Sequence, residues 1–180
     1  MASCLVGSEM CIRDSIGAFV CTAGLGIEKP LANYEKELDD YNIILLKAIA
    51  DRLAEALTEF MHEKIRKEIW AYSKNENYSN DELIEEKYIG IRPAPGYTAC
   101  PDHTEKLKIF KLLNAEKNIG VSLTESMAMT PNSSVSGYYF SHPKSKYFTV
   151  GKIQNDQIKD YAKRKEMSIN EVEKWLQSNI

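Results

Sequence analysis

Apolar positions set the reading of residues 38–70. In "LDDYNIILLKAIADRLAEALTEFMHEKIRKEIW", Leu46, Ile49, Leu53, Leu57 and Phe60 recur every three or four residues. That spacing puts apolar side chains on one face of a helix, so a long helix is predicted with this face turned to the core. Asp39 or Asp40 can cap its start. The opposite face carries Asp51, Glu55, Thr58 and His62. Ahead of it, "IGAFVCTAGLGI" (16–27) is almost wholly apolar and ends in glycines, as a buried strand running into a turn would.

"YSKNENYSN" is a polar loop, and Ser79 with Glu82 predicts a capping box for a short helix, "NDELIEEKY". A proline-rich stretch follows, "IRPAPGYTACPDHTEK" (91–106). Asp102 with Glu105 then predicts a second capping box, opening a helix over "DHTEKLKIFKLLNAEKNIG". Ile109, Leu112 and Leu113 form its apolar face, and Gly120 is its C-terminal cap. "VSLTES" alternates like a half-buried strand, and "MAMTPNSS" reads as a loop. "VSGYYFSH" and "KYFTVGKI" read as two strands of a hairpin joined by "PKS". Two helices, near 154–165 and 169–178, end the chain, the second behind a Ser168–Glu171 capping box. The predicted class is α+β, with several helices packed on a small, mostly antiparallel sheet.

At 180 residues, 43% hydrophobic and 27% charged, the chain has enough apolar residues for one globular domain. A net charge of -3 without a long basic run argues against nucleic acid or an anionic membrane as the main partner. The 16–27 run is too short to span a bilayer and lacks the basic flank of a signal peptide. Cysteines at 4, 11, 21 and 100 fit no zinc spacing and suggest a reducing compartment. "VGSEMCIRDS" resembles translated sequencing-adapter DNA, so residues 1–15 read as a non-native tail and 16–180 as the domain. "GLG" at 24–26 lacks the third glycine of a dinucleotide fingerprint.

The candidate chemistry centres on residues 91–106. Arg92 offers a planar fork that grips a carboxylate with paired hydrogen bonds. Pro93 and Pro95 stiffen the backbone beside it and Gly96 lets it turn. On spacing alone, a surface arginine next to a structural turn is the commoner case. Cys100 and His103 raise a metal or a thiol nucleophile, against the plainer reading of a helix start. Asp51 and Glu55, one helical turn apart, suit a cationic group or simply a solvated face. The aromatics Tyr138, Tyr139, Phe140, Tyr147 and Phe148 divide between core and exposed face if the segment is extended.

Taken in order, "DDYNIILLKAIADRLAEALTEFMHEKIRKEIW", "GIRPAPGYTACPDHTEK", "LTESMAM", "SVSGYYFSHPKSKYF" and "DYAKRK" closely resemble the activation domain of cobalamin-dependent methionine synthase, over residue 16 to the end. The resemblance implies the C-terminal half of an S-adenosylmethionine-binding module in a cytoplasmic methyltransferase. In the full enzyme that module serves reductive methylation of cob(II)alamin, with an electron from flavodoxin or a flavoprotein reductase. By the same resemblance, Arg92 holds the ligand carboxylate, and Ala94, Gly96, Tyr97, Tyr147, Phe148 and Glu55 line the ligand site. Asp51 and Glu86 match contacts to the cobalamin-binding domain. Cobalamin is held by that other domain and zinc by the homocysteine domain, so no metal ligand and no catalytic side chain is expected here. The family's N-terminal portion, which supplies an aspartate for the ligand's amino group, has no counterpart in the sequence. The chain alone is therefore expected to bind weakly and turn over nothing. Two alternatives stay open: a docking module for the cobalamin domain or flavodoxin without ligand binding, and a free-standing S-adenosylmethionine-binding protein acting in trans.

Overall fold

The computed structural model describes residues 16–180. The non-native reading of residues 1–15, with Cys4 and Cys11, lies outside the described residues. Strand β1 (Ile16–Thr22) pairs antiparallel with β4 (Ser134–Phe140), in a register that sets Phe19 opposite Gly137. A second, two-residue ladder joins β2 (Ser122–Leu123) to β3 (Met129–Thr130). Among the described residues, seven α-helices surround these strands: α1 (Glu28–Lys36), α2 (Asp40–Lys64), α3 (Asn80–Ile84), α4 (Glu105–Leu113), α5 (Ala115–Ile119), α6 (Asn155–Lys165) and α7 (Ile169–Trp175). The α+β class is as the sequence predicts; α1, which buries no residue, is an addition to it.

The long helix forms as expected, with Asp39 accepting from the Asn42 backbone N–H at 3.0 Å, but it presents the other face. Ala50, Ala54, Thr58 and His62 are the buried positions of α2. Ile49, Leu53, Leu57 and Phe60 are exposed, Leu53 by 57%. The reason is steric. Small residues every fourth position let the helix approach the β1–β4 pair closely, and Thr58 can be buried because its hydroxyl donates to the Ala54 carbonyl at 2.9 Å. Past Lys64 the helix widens into a π-turn, Ile65–Ile69. There Ile65 joins Phe19, Cys21 and Tyr139 in the core beneath the sheet.

The predicted hairpin over 135–153 does not form. β1 occupies one edge of β4, and the start of the proline-rich stretch occupies the other. Ile91 and Phe140 exchange both backbone hydrogen bonds at 2.9 Å, and the Tyr138 N–H donates to the Pro93 carbonyl at 2.9 Å. With both edges filled, β4 cannot pair with 146–153. That segment runs irregularly instead, held where the Val150 N–H donates to the Thr98 carbonyl at 2.9 Å and the Ile153 N–H to the Asn179 carbonyl at 2.6 Å.

Capping boxes are present at Ser79–Glu82 and Ser168–Glu171, but not at Asp102–Glu105. The Asp102 carboxylate turns inward and accepts from the Thr104 N–H and hydroxyl, both at 2.7 Å, so α4 starts only at Glu105. The predicted 102–120 helix also breaks at Asn114, whose φ of 48° is left-handed, leaving Gly120 to cap α5. Asp102 is a joint between helices. It accepts from Tyr161 Oη at 2.6 Å and pairs with Lys165 at 3.0 Å, which ties the loop to α6. Burial pushes its carboxyl up, but the bonds from Tyr161, Thr104 and Lys165 outweigh burial and hold it below the usual range.

Candidate functional site

Gly96 allows residues 91–100 to fold back on themselves. Its φ is +97°, and a Cβ there would lie 2.1 Å from His103 Cε1. No other residue type fits without moving the histidine. The turn is closed by the Gly96 N–H donating to the Cys100 carbonyl at 2.7 Å. Arg92 is thereby fixed at its start. Its backbone N–H donates to Tyr147 Oη at 2.9 Å, which brings the 141–150 segment over the loop.

The result is a cavity of about 520 Å³ between α2, the turn after α3, the 92–99 loop and Tyr147. Arg92 is the cation of its lining, and Glu55, Glu59 and Glu86 are the carboxylates. The Arg92 guanidinium forms an ion pair with Glu59 through Nη2, while its buried Nε–H has no partner among the described residues. Half of the guanidinium fork is thus taken and half is free.

A rigid back wall supports this arrangement. Arg66 and Glu76, with side chains 2% and 3% exposed, form a buried pair at 2.7 Å. The Arg66 guanidinium carbon sits 4.5 Å from the centre of the Tyr88 ring, which lines the cavity. Against the same ring packs His62, fully buried, edge-on to Tyr88 at 5.1 Å and stacked on Tyr139 at 5.3 Å. Burial, followed by the charges of Arg66 and Arg92, pushes the His62 imidazole down to about 3. The ring is therefore neutral and works as a flat packing piece between two tyrosines.

A single arginine facing carboxylates across an aromatic-walled cleft suits a zwitterion with an additional positive centre. Comparison with known proteins gives that chemistry a setting. The family model for "Vitamin B12 dependent methionine synthase, activation domain" matches residues 3–166. The chain belongs to that family. A crystal structure of the MetH reactivation domain bound to AdoHcy is 59% identical and superposes with a TM-score of 0.88, covering 92% of this chain and 51% of that one. The present activation-domain chain spans about half the length of that solved domain.

Within this activation domain the expected site residues are distributed unevenly. Arg92, Ala94, Tyr97, Tyr147, Glu55 and Glu86 all line the one cavity. Gly96 does not face it; it shapes the turn and borders a neighbouring cavity. Phe148 is 62% exposed and outside the lining. Asp51 accepts from Ser133 Oγ at 2.6 Å, fastening α2 to the start of β4. Glu55 already pairs with Arg52 at 2.7 Å on the surface, an interaction worth little in water.

Among the lining residues that sequence reasoning missed are Glu59 and Tyr88, with Thr98, Ala99 and Val135. Glu59 sits one turn beyond Glu55, so extending the Asp51–Glu55 spacing would have found it. Tyr88 carried no such signal, because its place depends on Arg66 and His62. Cys100 is not a nucleophile in this setting: burial, then the carboxylates of Glu105 and Asp102, push its thiol up to about 11, away from the reactive thiolate.

Proposed function

We propose that the Arg92 cavity binds S-adenosylmethionine, and that the chain serves as the reactivation module of a cobalamin-dependent methionine synthase. The observation that carries this reading is the half-free Arg92 fork set against three carboxylates and three tyrosine rings. The fork suits the methionine carboxylate, and Glu55 and Glu86 suit the ammonium and sulfonium. Tyr88, Tyr97 and Tyr147 offer flat faces to the adenosine. Family membership and the likeness to an AdoHcy-bound reactivation domain support it.

In the longer enzyme the methyl acceptor is the cobalt of cobalamin on another domain, and a flavodoxin or flavoprotein reductase supplies the electron. The residues of this chain hold and aim the methyl donor. No helix among the described residues is long and apolar enough to cross a membrane. Calorimetry at high ligand concentration tests the ligand reading: S-adenosylmethionine binds weakly but with measurable heat, and Arg92→Ala weakens it further, by about 2–3 kcal/mol, because a charged hydrogen-bond partner is lost. Equal affinity in the variant removes Arg92 from the site.

One observation favours a docking role beside this one. The outward face of α2 exposes Ile49, Leu53, Leu57 and Phe60 in a continuous stripe, the kind of surface that another protein surface covers. If S-adenosylmethionine gives no heat while the stripe still engages the cobalamin domain, docking is the function.

A further inference from the structure

A second cavity, of about 310 Å³, shares Ala94, Tyr97 and Val135 with the first but has different chemistry. Lys106, in the first turn of α4, lines it and is only 8% exposed. The other buried cations have carboxylate partners: Arg66 pairs with Glu76, and Lys165 with Asp102 and Glu105. Lys106 has none among the described residues. Its ammonium donates to the Met127 carbonyl at 2.9 Å and lies 3.3 Å from His103 Nδ1. Since an ammonium cannot accept, Nδ1 is the acceptor, and the neutral imidazole keeps its proton on Nε2.

Three donors follow: the third ammonium proton, His103 Nε2–H, and the Ser136 hydroxyl. The last lines the cavity, is 2% exposed and has no partner among the described residues. Pro95, Met129 and Val135 supply apolar wall. A buried positive charge without a counter-ion is costly, and burial lowers the Lys106 amine accordingly. One unbalanced positive charge, spare donors and apolar walls specify a singly charged acceptor on an apolar stem.

We propose that this cavity is a second binding site, for a short-chain monocarboxylate whose oxygens meet Lys106, His103 and Ser136 while its chain lies along Met129 and Val135. The assignment is independent of what the Arg92 cavity binds. A doubly charged phosphate would leave one negative charge buried and unmatched, so the carboxylate is favoured.

The chain as it stands can be titrated with butyrate while NMR follows the His103 ring and the Ser136 amide. Parallel titrations use 1-butanol, with the same stem and no charge, and inorganic phosphate. Butyrate should give saturable shifts at both residues with affinity in the millimolar range, more than about tenfold tighter than butanol. Lys106→Met, which keeps the apolar stem, should abolish the shifts. Ser136→Ala removes only the hydroxyl and should weaken butyrate by about threefold or more, which keeps the test decisive if the lysine variant does not fold. The proposal is overturned if butyrate binds no better than butanol, if phosphate outcompetes it, or if Ser136→Ala leaves its affinity unchanged.

Discussion

Lowering the pH from about 7.5 to about 5 should cost this fold about 2 kcal/mol through one side chain, His62. The imidazole is fully buried between Tyr88 and Tyr139, and neither ring nitrogen has a partner among the described residues. Burial, with Arg66 and Arg92 nearby, pushes it from an ordinary 6.5 down to about 3. As the pH falls through 6.5 the unfolded chain takes up a proton that the folded chain refuses until about 3. Stability therefore falls with pH across that window, at up to about 1.4 kcal/mol per pH unit, and levels off below it. His62→Phe keeps a flat ring between the tyrosines and removes the proton. Any packing penalty in the variant shifts its whole curve but not its slope. Urea unfolding at several pH values measures both proteins, and His103 titrates equally in each. If wild type and His62→Phe lose the same stability between about pH 7.5 and about pH 5, the neutral-wedge account of His62 is wrong.

Two further outcomes follow from the site's geometry. Removing one partner of the buried Arg66–Glu76 pair, by Glu76→Ala, should cost about 3–5 kcal/mol in denaturant unfolding, because it strands a charge under Tyr88. Glu59→Gln frees the Arg92 fork and should tighten a carboxylate-bearing ligand by about two- to fivefold in calorimetry, the modest size reflecting a half-exposed pair; weaker binding would instead make Glu59 a direct ligand of the amino group.

How legible the molecule was depends on how local each determinant is. Asp39, Ser79 and Ser168 sit within four residues of what they cap, and all three caps form. Asp102 has the same local pattern but is recruited by Tyr161 and Lys165, about sixty positions away, and no nearby residue announces that. The facing of α2 misled for a related reason. Size of side chain outweighed hydrophobicity, and Ala50 and Ala54 took the seam that Leu53 and Leu57 would have filled. The hairpin failed because Ile91 and Pro93 occupy the β4 edge that it needs. At the site, Arg92 was only a candidate from the proline–glycine context, where a surface arginine is the commoner case, and Tyr97 and Tyr147 came from the resemblance. Lys106 went unread, since a lysine in a helix looks solvated until its burial is known.

In the proposed function, Arg92 holds the carboxylate of S-adenosylmethionine or its demethylated product. The most direct measurement is the NMR signal of the Arg92 Nε–H during titration with AdoHcy and, separately, with adenosine, which lacks the amino-acid portion. A large, saturable shift is expected with AdoHcy and little movement with adenosine, because only the first can fill the unpartnered half of the fork. An Nε–H signal that stays put while AdoHcy binds would contradict it.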